Sequence, residues 1–203
     1  MPQTPDLVLY FAPGASSMAP HIALHEIGVP FEARRISFAN NESRSPEYLA
    51  INLHGQVPTL LVDGRPLTEV AAILFYLARR FPEADLAPLG DPEAEAQVLS
   101  WMSFLASRVH PSGRQGQDQA RAMFGEAEAR LGGRAWALGR YSIVDIHLFR
   151  LFWRFRKLLD PQPGEFADLW RHFEAVRQRP AVQKTIEIES AFGYELPPSV
   201  PPI

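Results

Sequence analysis

The sequence predicts an α/β domain at the N-terminus followed by an all-helical domain. Strand-like apolar runs and turn residues occur up to about residue 82, whereas only helical periodicity follows residue 93. The stretch between them is rich in Pro and Gly, which is typical of a linker. We therefore expect an α/β domain over 1–82, a linker over 83–92, an all-helical domain over 93–190 and a Pro-rich tail over 191–203.

The N-terminal elements are predicted in the order βαβ and then ββα. The apolar run Leu7–Phe11 indicates a buried strand, and a helical pattern runs from Ser16 to Ile27 with Gly28 as its C-cap. A second strand over 31–38 would pair in parallel with the first, because a helix connects them. The remaining elements are a short helix over 46–51, a strand over 57–62, a hairpin turn at Asp63-Gly64, a return strand at Pro66-Leu67, and a helix capped by Thr68 and ending near Phe81.

The C-terminal elements are predicted to be four amphipathic helices. Their apolar residues recur at helical spacing from Val98 to Val109, over 117–131, after Ser142, and from Phe166 to Val176. Ser142 and Asp145 have the spacing of a capping box at the start of the third of these helices. We assign that pair a structural role.

Composition excludes several classes of function. The chain has 203 residues, a formal net charge of -3 and no Cys, so no disulfide, thiolate metal site or cysteine nucleophile is possible. The charge gives no pull toward nucleic acid, no apolar run is long enough to span a membrane, and the start lacks the pattern of a signal peptide, so we expect a cytoplasmic protein. His21 and His25 lie one turn apart, but no third ligand is indicated and no metal site is predicted.

Two hydroxyl side chains stand at the first strand-to-helix turn, within Tyr10-Phe11-Ala12-Pro13-Gly14-Ala15-Ser16-Ser17-Met18-Ala19-Pro20-His21-Ile22. The start of a helix offers unpaired N–H groups and a partial positive charge, which would stabilise an anion such as a thiolate. The alternative is that Ser16 or Ser17 only caps the helix.

Two further segments are suited to binding a peptide-like ligand. In Gln56-Val57-Pro58, a cis peptide bond would leave the backbone of Val57 free to pair with a ligand, although a trans proline opening an edge strand is an alternative. In Thr68-Glu69-Val70, backbone N–H groups at a helix start could take a carboxylate and Glu69 could accept from an ammonium group. The alternative for Glu69 is a solvated first-turn acid.

The histidines and arginines of the sequence indicate a function less specifically than these motifs do. His110 ends a predicted helix, where it could reach the site or simply favour the helix C-terminus, and His54 and His172 are predicted to lie on the surface. Arginines and aromatic residues crowd the helix after Ser142. Either the bases are solvated while the rings are buried, or together they form a cationic, aromatic-walled pocket; the residues concerned are Arg150, Arg154, Arg156 and Lys157 with Phe149, Phe152, Trp153 and Phe155.

The ordered set of motifs resembles the glutathione transferase superfamily, and most closely its bacterial beta class. The run around Ser16, the Val57-Pro58 pair, Thr68-Glu69-Val70 and the Ser142–Asp145 capping box each match a family motif, and the resemblance extends to about residue 190. It implies a thioredoxin-like N-terminal domain, glutathione as co-substrate and a homodimer. Ser16 stands where the beta class has Cys, while Asn40, Asn41 and Glu42 replace family lysines.

The resemblance implies a glutathione transferase that conjugates small electrophiles, aromatic or hydrophobic ones. Ser16 would contact the thiol, with Ser17 and then Tyr10 as further choices, and His110 would reach the site. The alternatives are a glutathione-binding or scaffold protein with little activity, or a glutathione-dependent peroxidase or isomerase. The candidate residues are Ser16, Ser17 and His110 for catalysis, and Tyr10, Gln56, Val57, Pro58, Glu69, Val70 and Trp153 for substrate binding.

Overall fold

The computed structural model describes residues 5–195, and its N-terminal part is a four-stranded mixed sheet with helices. Strand β1 pairs in parallel with β2 and antiparallel with β3, and β3 pairs antiparallel with β4, giving the spatial order β2-β1-β3-β4. The expected βαβ–ββα order and the thioredoxin-like arrangement are therefore confirmed. The strands are β1 (Leu7–Phe11), β2 (Glu32–Arg35), β3 (Thr59–Val62) and β4 (Arg65–Thr68).

The rest of the described chain is helical. A π-helical segment, Leu105–Val109, joins α4 to α5, so these form one continuous run that ends at Ser112 and contains the candidate residue His110. The helices are α1 (Met18–Ile27), α2 (Pro46–Ile51), α3 (Val70–Arg80), α4 (Pro92–Phe104), α5 (His110–Ser112), α6 (Gln117–Leu131), α7 (Ile143–Leu159), α8 (Ala167–Arg177) and α9 (Pro180–Ala191). In residues 5–195 no helix has both the length and the apolar character needed to cross a bilayer.

The two faces of β1 are both covered, as expected for a central strand. Leu9 and Phe11 belong to the main core with α1 and α3, whereas Val8 and Tyr10 pack on the opposite face against Tyr48 of α2. This division follows from the alternation of side chains along a strand. It places Tyr10 on the face of the sheet away from α1.

Several local predictions are confirmed and a few are corrected. Asp63 and Gly64 both take positive φ, at 49° and 77°, as a two-residue hairpin turn requires. Thr68 does not cap the following helix, because it pairs with Thr59 as the last residue of β4, and Glu69 makes the turn with φ 70°. The second strand is shorter than predicted, and helix α9 was not predicted.

Helix α7 lies at the centre of the helical part, and its capping box is present as predicted. Ser142 and Asp145 are fully buried, and the Asp145 carboxylate accepts from the Ser142 N–H at 2.8 Å and from the Ala137 N–H at 2.8 Å. His172 also contacts this carboxylate, at 3.0 Å from Nε2. The prediction that His172 lies on the surface is therefore wrong, since the ring is buried against a carboxylate distant in sequence.

The first residues of the predicted tail pack back onto the α/β part. Phe192 makes an edge contact with Phe11, Tyr194 packs on Trp153, and the Glu195 carboxylate accepts from the Ser37 hydroxyl at 2.9 Å. The expectation for the rest of the tail falls on residues 196–203, which lie outside the described part.

Candidate functional site

Seven of the ten candidate residues meet at one cavity between the α/β part and the helical part. The cavity has a volume of about 120 Å³. Its candidate residues come from the α1 turn, the segment before β3, the start of α3 and the end of the α4–α5 run. They are Ser16, Gln56, Val57, Pro58, Glu69, Val70 and His110, joined by Asn52, His54, Thr68, Ala71, Ala106 and His147.

Ser16 lies directly beside the Val57-Pro58 segment. Its hydroxyl donates to the Val57 carbonyl oxygen at 2.9 Å, although the two residues are 41 positions apart. The Val57-Pro58 peptide bond is cis, as the sequence analysis predicted. The cavity thus places a half-buried hydroxyl next to backbone groups of Val57.

Two side chains, one from α2 and one from the residue that follows it, hold the segment before Pro58 in place. The Gln56 carbonyl accepts from the Tyr48 hydroxyl at 2.6 Å and from the Asn52 amide at 2.8 Å. Both side chains also contact the Thr59 hydroxyl, at 3.0 Å each. Sequence reasoning missed Tyr48 and Asn52, because they follow no chemical motif and their partners, the Gln56 carbonyl and the Thr59 hydroxyl, lie several residues further along the chain.

Glu69 and Val70 stand at the start of α3. The first N–H groups of a helix have no partner within it, so this end presents donors toward the cavity. Glu69 is exposed at the cavity rim, and Val70 is buried. The arrangement is suited to a ligand that carries a carboxylate beside an ammonium group.

Three candidates lie outside the cavity lining. The Ser17 hydroxyl is fully buried, where it accepts from the Ala12 N–H at 3.1 Å and donates to the Ala12 carbonyl at 3.2 Å. The Tyr10 hydroxyl accepts from Arg34 at 3.0 Å on the other face of the sheet. Trp153 packs edge-on against Tyr194, with ring centroids 5.3 Å apart. Ser17 therefore closes the strand-to-helix turn that carries Ser16.

The same turn is held by residues distant in sequence. The Glu189 carboxylate of α9 accepts from the Gly14 N–H at 2.8 Å and contacts His21 Nδ1 at 2.9 Å. Arg150 of α7 donates from Nε to the Ala15 carbonyl at 3.1 Å and from Nη2 to the Gly14 carbonyl at 3.3 Å. Because Gly14 and Ala15 precede Ser16 directly, α7 and α9 fix the position of its hydroxyl. Within the described ranges, no group of three or more His, Cys, Asp and Glu side chains is arranged to hold a metal ion.

His147 was missed by the sequence analysis, yet it lines the cavity together with His110. It is fully buried on α7, and neither ring nitrogen has a hydrogen-bond partner within residues 5–195. The signal for it was the spacing of 147, 150 and 154, which puts three polar residues on one face of the helix. Burial lowers the pKa of His147 well below its usual value, and the nearby His110 and Arg150 add to this effect.

His110 and His147 are neutral at physiological pH. Burial lowers the pKa of His110 from 6.5 to about 3, and the charges of Arg150, Arg114 and Arg154 contribute in the same direction. A neutral imidazole presents one donor and one acceptor nitrogen, so both rings can hydrogen-bond a ligand without carrying charge. The low pKa also means that His110 does not hold a proton taken from a ligand at pH 7.

This pKa predicts how His110 affects stability at low pH. Below pH 6.5 the unfolded chain protonates this imidazole, whereas the folded protein does so only near pH 3. The free energy of unfolding therefore falls as the pH drops from 6.5 toward 3. His110→Gln lacks this loss. Its free energy of unfolding, minus that of the parent, should therefore recover by roughly 3 kcal/mol between pH 8 and pH 4.

Urea unfolding of the parent and His110→Gln at pH 8 and pH 4 measures this recovery. The control is His54→Gln, which removes an exposed imidazole at the rim of the same cavity. Parallel pH curves for the parent and His110→Gln would show that the imidazole is not buried in the neutral form.

Two arginines of α7 contradict the interpretation that the bases of this helix are solvated while its rings are buried. Arg150 and Arg154 are each only 3% exposed, so they are not solvated bases, although Lys157 is exposed as that interpretation expects. Burial lowers the pKa of Arg150 to about 9 and that of Arg154 to about 10. Both groups remain cationic at neutral pH, inside the protein.

Comparison with known proteins places this geometry in a family. Residues 5–79 match the family model described as glutathione S-transferase, N-terminal domain. Glutathione S-transferase GST-4.5 of Xanthomonas campestris pv. campestris is 32% identical over 162 residues, which cover 70% of this chain and 78% of that protein.

Solved structures extend the match to almost the whole chain. The bacterial beta class glutathione S-transferase of Sphingomonas chungbukensis is 30% identical with a TM-score of 0.79, covering 90% of this chain and 98% of that one. A sphingomonad glutathione S-transferase complexed with glutathione has the same identity, TM-score and coverage. The chain belongs to the glutathione S-transferase family of enzymes.

Proposed function

We propose that the protein binds glutathione in the cavity at Ser16 and conjugates its thiolate to small electrophiles, aromatic or hydrophobic ones. The observation that carries this proposal is the meeting of Ser16 and Val57, whose hydroxyl and carbonyl lie 2.9 Å apart beside the start of α1. The sphingomonad relative described above is complexed with glutathione, and its similarity to this chain supports the same ligand here.

The γ-glutamyl and cysteinyl parts of glutathione would each have a partner at this cavity. The cysteinyl backbone would pair with Val57, and the γ-glutamyl group would place its carboxylate at the start of α3 and its ammonium at Glu69. The sulfur would then lie near Ser16, where the hydroxyl can turn from the Val57 carbonyl to donate to a thiolate. Ser17 and Tyr10 are not part of this proposal, because their hydroxyl groups are bonded elsewhere.

The stabilisation that a thiolate needs at neutral pH is of the size that this site can provide. Lowering a thiol pKa from about 8.5 to about 6.5 requires about 3 kcal/mol of stabilisation of the thiolate. A hydrogen bond to a charged group contributes about 1.5–3 kcal/mol, and a helix N-terminus about 0.3–1 kcal/mol. Since His110 cannot keep the released proton at pH 7, the proton passes to solvent.

The chemical step is then a nucleophilic displacement or addition. With an aryl halide, the thiolate sulfur forms a bond to the ring carbon, and the halide leaves with its bonding electron pair. The enzyme contributes the thiolate and the proximity of the two reactants. Dimerisation through a twofold axis remains a prediction from the family resemblance.

Turnover of an aryl halide with glutathione, measured together with glutathione affinity, tests the proposal. We expect binding with turnover above the uncatalysed reaction. Binding without turnover would favour the alternative of a glutathione-binding or scaffold protein, and absence of binding would contradict both. Reduction of peroxides or isomerisation of a double bond with glutathione would indicate the third alternative. That activity would use the same thiol site and differ only in its second substrate.

A further inference from the structure

One face of α7 carries a buried polar row beside the cavity. His147, Arg150 and Arg154 follow at intervals of three and four residues, so their side chains lie above one another on the helix. The first of them lines the cavity, and the two arginines lie close enough to His110 of the cavity wall to depress its pKa. The row therefore leads from the cavity into the helical part.

Arg150 is fixed in place but keeps one free group. Its Nε and Nη2 atoms are used on the carbonyls of Ala15 and Gly14, while Nη1 is buried and has no hydrogen-bond partner in the described chain. Glu189 is the nearby carboxylate, but its oxygens already take the Gly14 N–H and His21. One pair of guanidinium donors thus stays unsatisfied next to the turn of Ser16.

Within the part of the chain that the structure describes, Arg154 has more unpaired donor atoms than Arg150. Both Nη1 and Nη2 are buried without a hydrogen-bond partner within residues 5–195, and Arg154 forms no ion pair with any residue of that range. Residues 1–4 and 196–203 contain no Asp or Glu. The two Nη atoms are the fork that binds a carboxylate through parallel hydrogen bonds.

Two buried cations without a free carboxylate are costly for the folded protein. Desolvated charges are normally paired, and buried donors are normally satisfied. A ligand that brought one negative charge and two acceptor oxygens would satisfy the free atoms of both arginines. A neutral aromatic ligand would leave them as they are.

We propose that Arg150 and Arg154 bind the carboxylate of the second substrate, so that the preferred electrophile is an anionic, carboxylate-bearing one. This rests on the proposed function, because the carboxylate site adjoins the cavity assigned to glutathione. Arg150 positions the carboxylate relative to the Ser16 turn that it also holds, and Arg154 supplies the fork.

The test compares two acceptors that differ only in charge, 4-chloro-3,5-dinitrobenzoate and 4-chloro-3,5-dinitrobenzamide, each with glutathione. In Arg154→Met, kcat/KM for the benzoate should fall about tenfold or more, as loss of a bidentate charged contact implies, while the value for the benzamide changes less than about twofold. Intrinsic reactivity cancels because each acceptor is compared between parent and variant. Arg156→Met is the matched control. It removes a cation from the same helix, and the guanidinium of Arg156 donates to the Trp153 carbonyl.

The melting temperature separates this role from a structural one. Removing an unpaired buried charge should leave Arg154→Met as stable as the parent or more so, because no partner is left behind. If that variant does not fold, Arg154→Lys retains the charge without the fork and should still lose part of the preference for the benzoate. An unchanged ratio of the two acceptors in the folded variants would overturn the proposal, as would an equal loss on both acceptors with weaker glutathione binding.

An equilibrium measurement keeps this proposal separate from that of transferase activity. The unreactive 3,5-dinitrobenzoate should bind the parent and Arg156→Met in a calorimeter and bind Arg154→Met much more weakly. That result would support the carboxylate site even if neither chloro compound were turned over. Absence of binding to the parent would overturn the carboxylate site and leave the proposed transferase activity standing on its own test.

Discussion

Replacing Ser16 with Ala is expected to lower kcat/KM for glutathione conjugation by about 10–100-fold at pH 7. The variant loses the hydroxyl that would donate to the thiolate, a contact to a charged group with a free energy of about 1.5–3 kcal/mol. The pH at which the bound thiol ionises should rise by about one to two units, since each unit corresponds to 1.36 kcal/mol. The ultraviolet absorbance of the thiolate, followed against pH in the glutathione complex, measures this shift.

Ser17→Ala is the matched control for that experiment. The Ser17 hydroxyl joins the N–H and carbonyl of Ala12 and does not line the cavity, so its loss should lower the free energy of unfolding by about 1–3 kcal/mol. The titration of the bound thiol should be unchanged in the folded fraction. If Ser17→Ala shifts the titration and Ser16→Ala does not, the assignment of the two hydroxyl groups is reversed.

Asp145→Ala is expected to be the most destabilising of the substitutions considered, by about 3–5 kcal/mol. The carboxylate is fully buried and accepts from the Ser142 N–H and hydroxyl, the Ala137 N–H and His172, all within 3.0 Å. Removing it leaves buried donors without an acceptor and takes the carboxylate half of the capping box from the 17-residue helix α7. Urea unfolding measures the loss.

Asp118→Ala provides the comparison, because Asp118 is an exposed acid in the first turn of α6. Its removal should cost at most about 1 kcal/mol, the usual contribution of a first-turn acid. Glutathione affinity of the folded Asp145→Ala protein should be close to that of the parent. Equal stability of the two variants would mean that the buried network around Asp145 does not form.

Local chemistry in the sequence predicted the elements well. The apolar runs, the Asp63-Gly64 turn and the Ser142–Asp145 spacing each act over a few residues, and the elements predicted from all three are present. The thioredoxin-like order followed from those elements. The bounds of the domains and the roles of the site residues remain predictions.

Contacts between distant residues could not be predicted in the same way. His172 was predicted to lie on the surface, but its ring meets a carboxylate 27 positions earlier. His147 was not singled out and Arg154 was left with two interpretations, because a sequence shows that a polar residue is present but not whether its atoms find partners. Ser16 could be placed beside Val57 only through the family resemblance, since nothing local links them.

The contacts of Glu189 and Arg150 with the Ser16 turn make the proposed thiol site dependent on nearly the entire length of the chain. The segment that matches the family model ends at residue 79, yet the turn within it is held by residues that are synthesised long afterwards. On the ribosome, the α/β part would emerge with its sheet complete and its site unfinished until α9 followed. In evolution, exchanging the N-terminal segment between relatives would preserve the fold but separate the turn from its distant supports, so those supports must be inherited together with it.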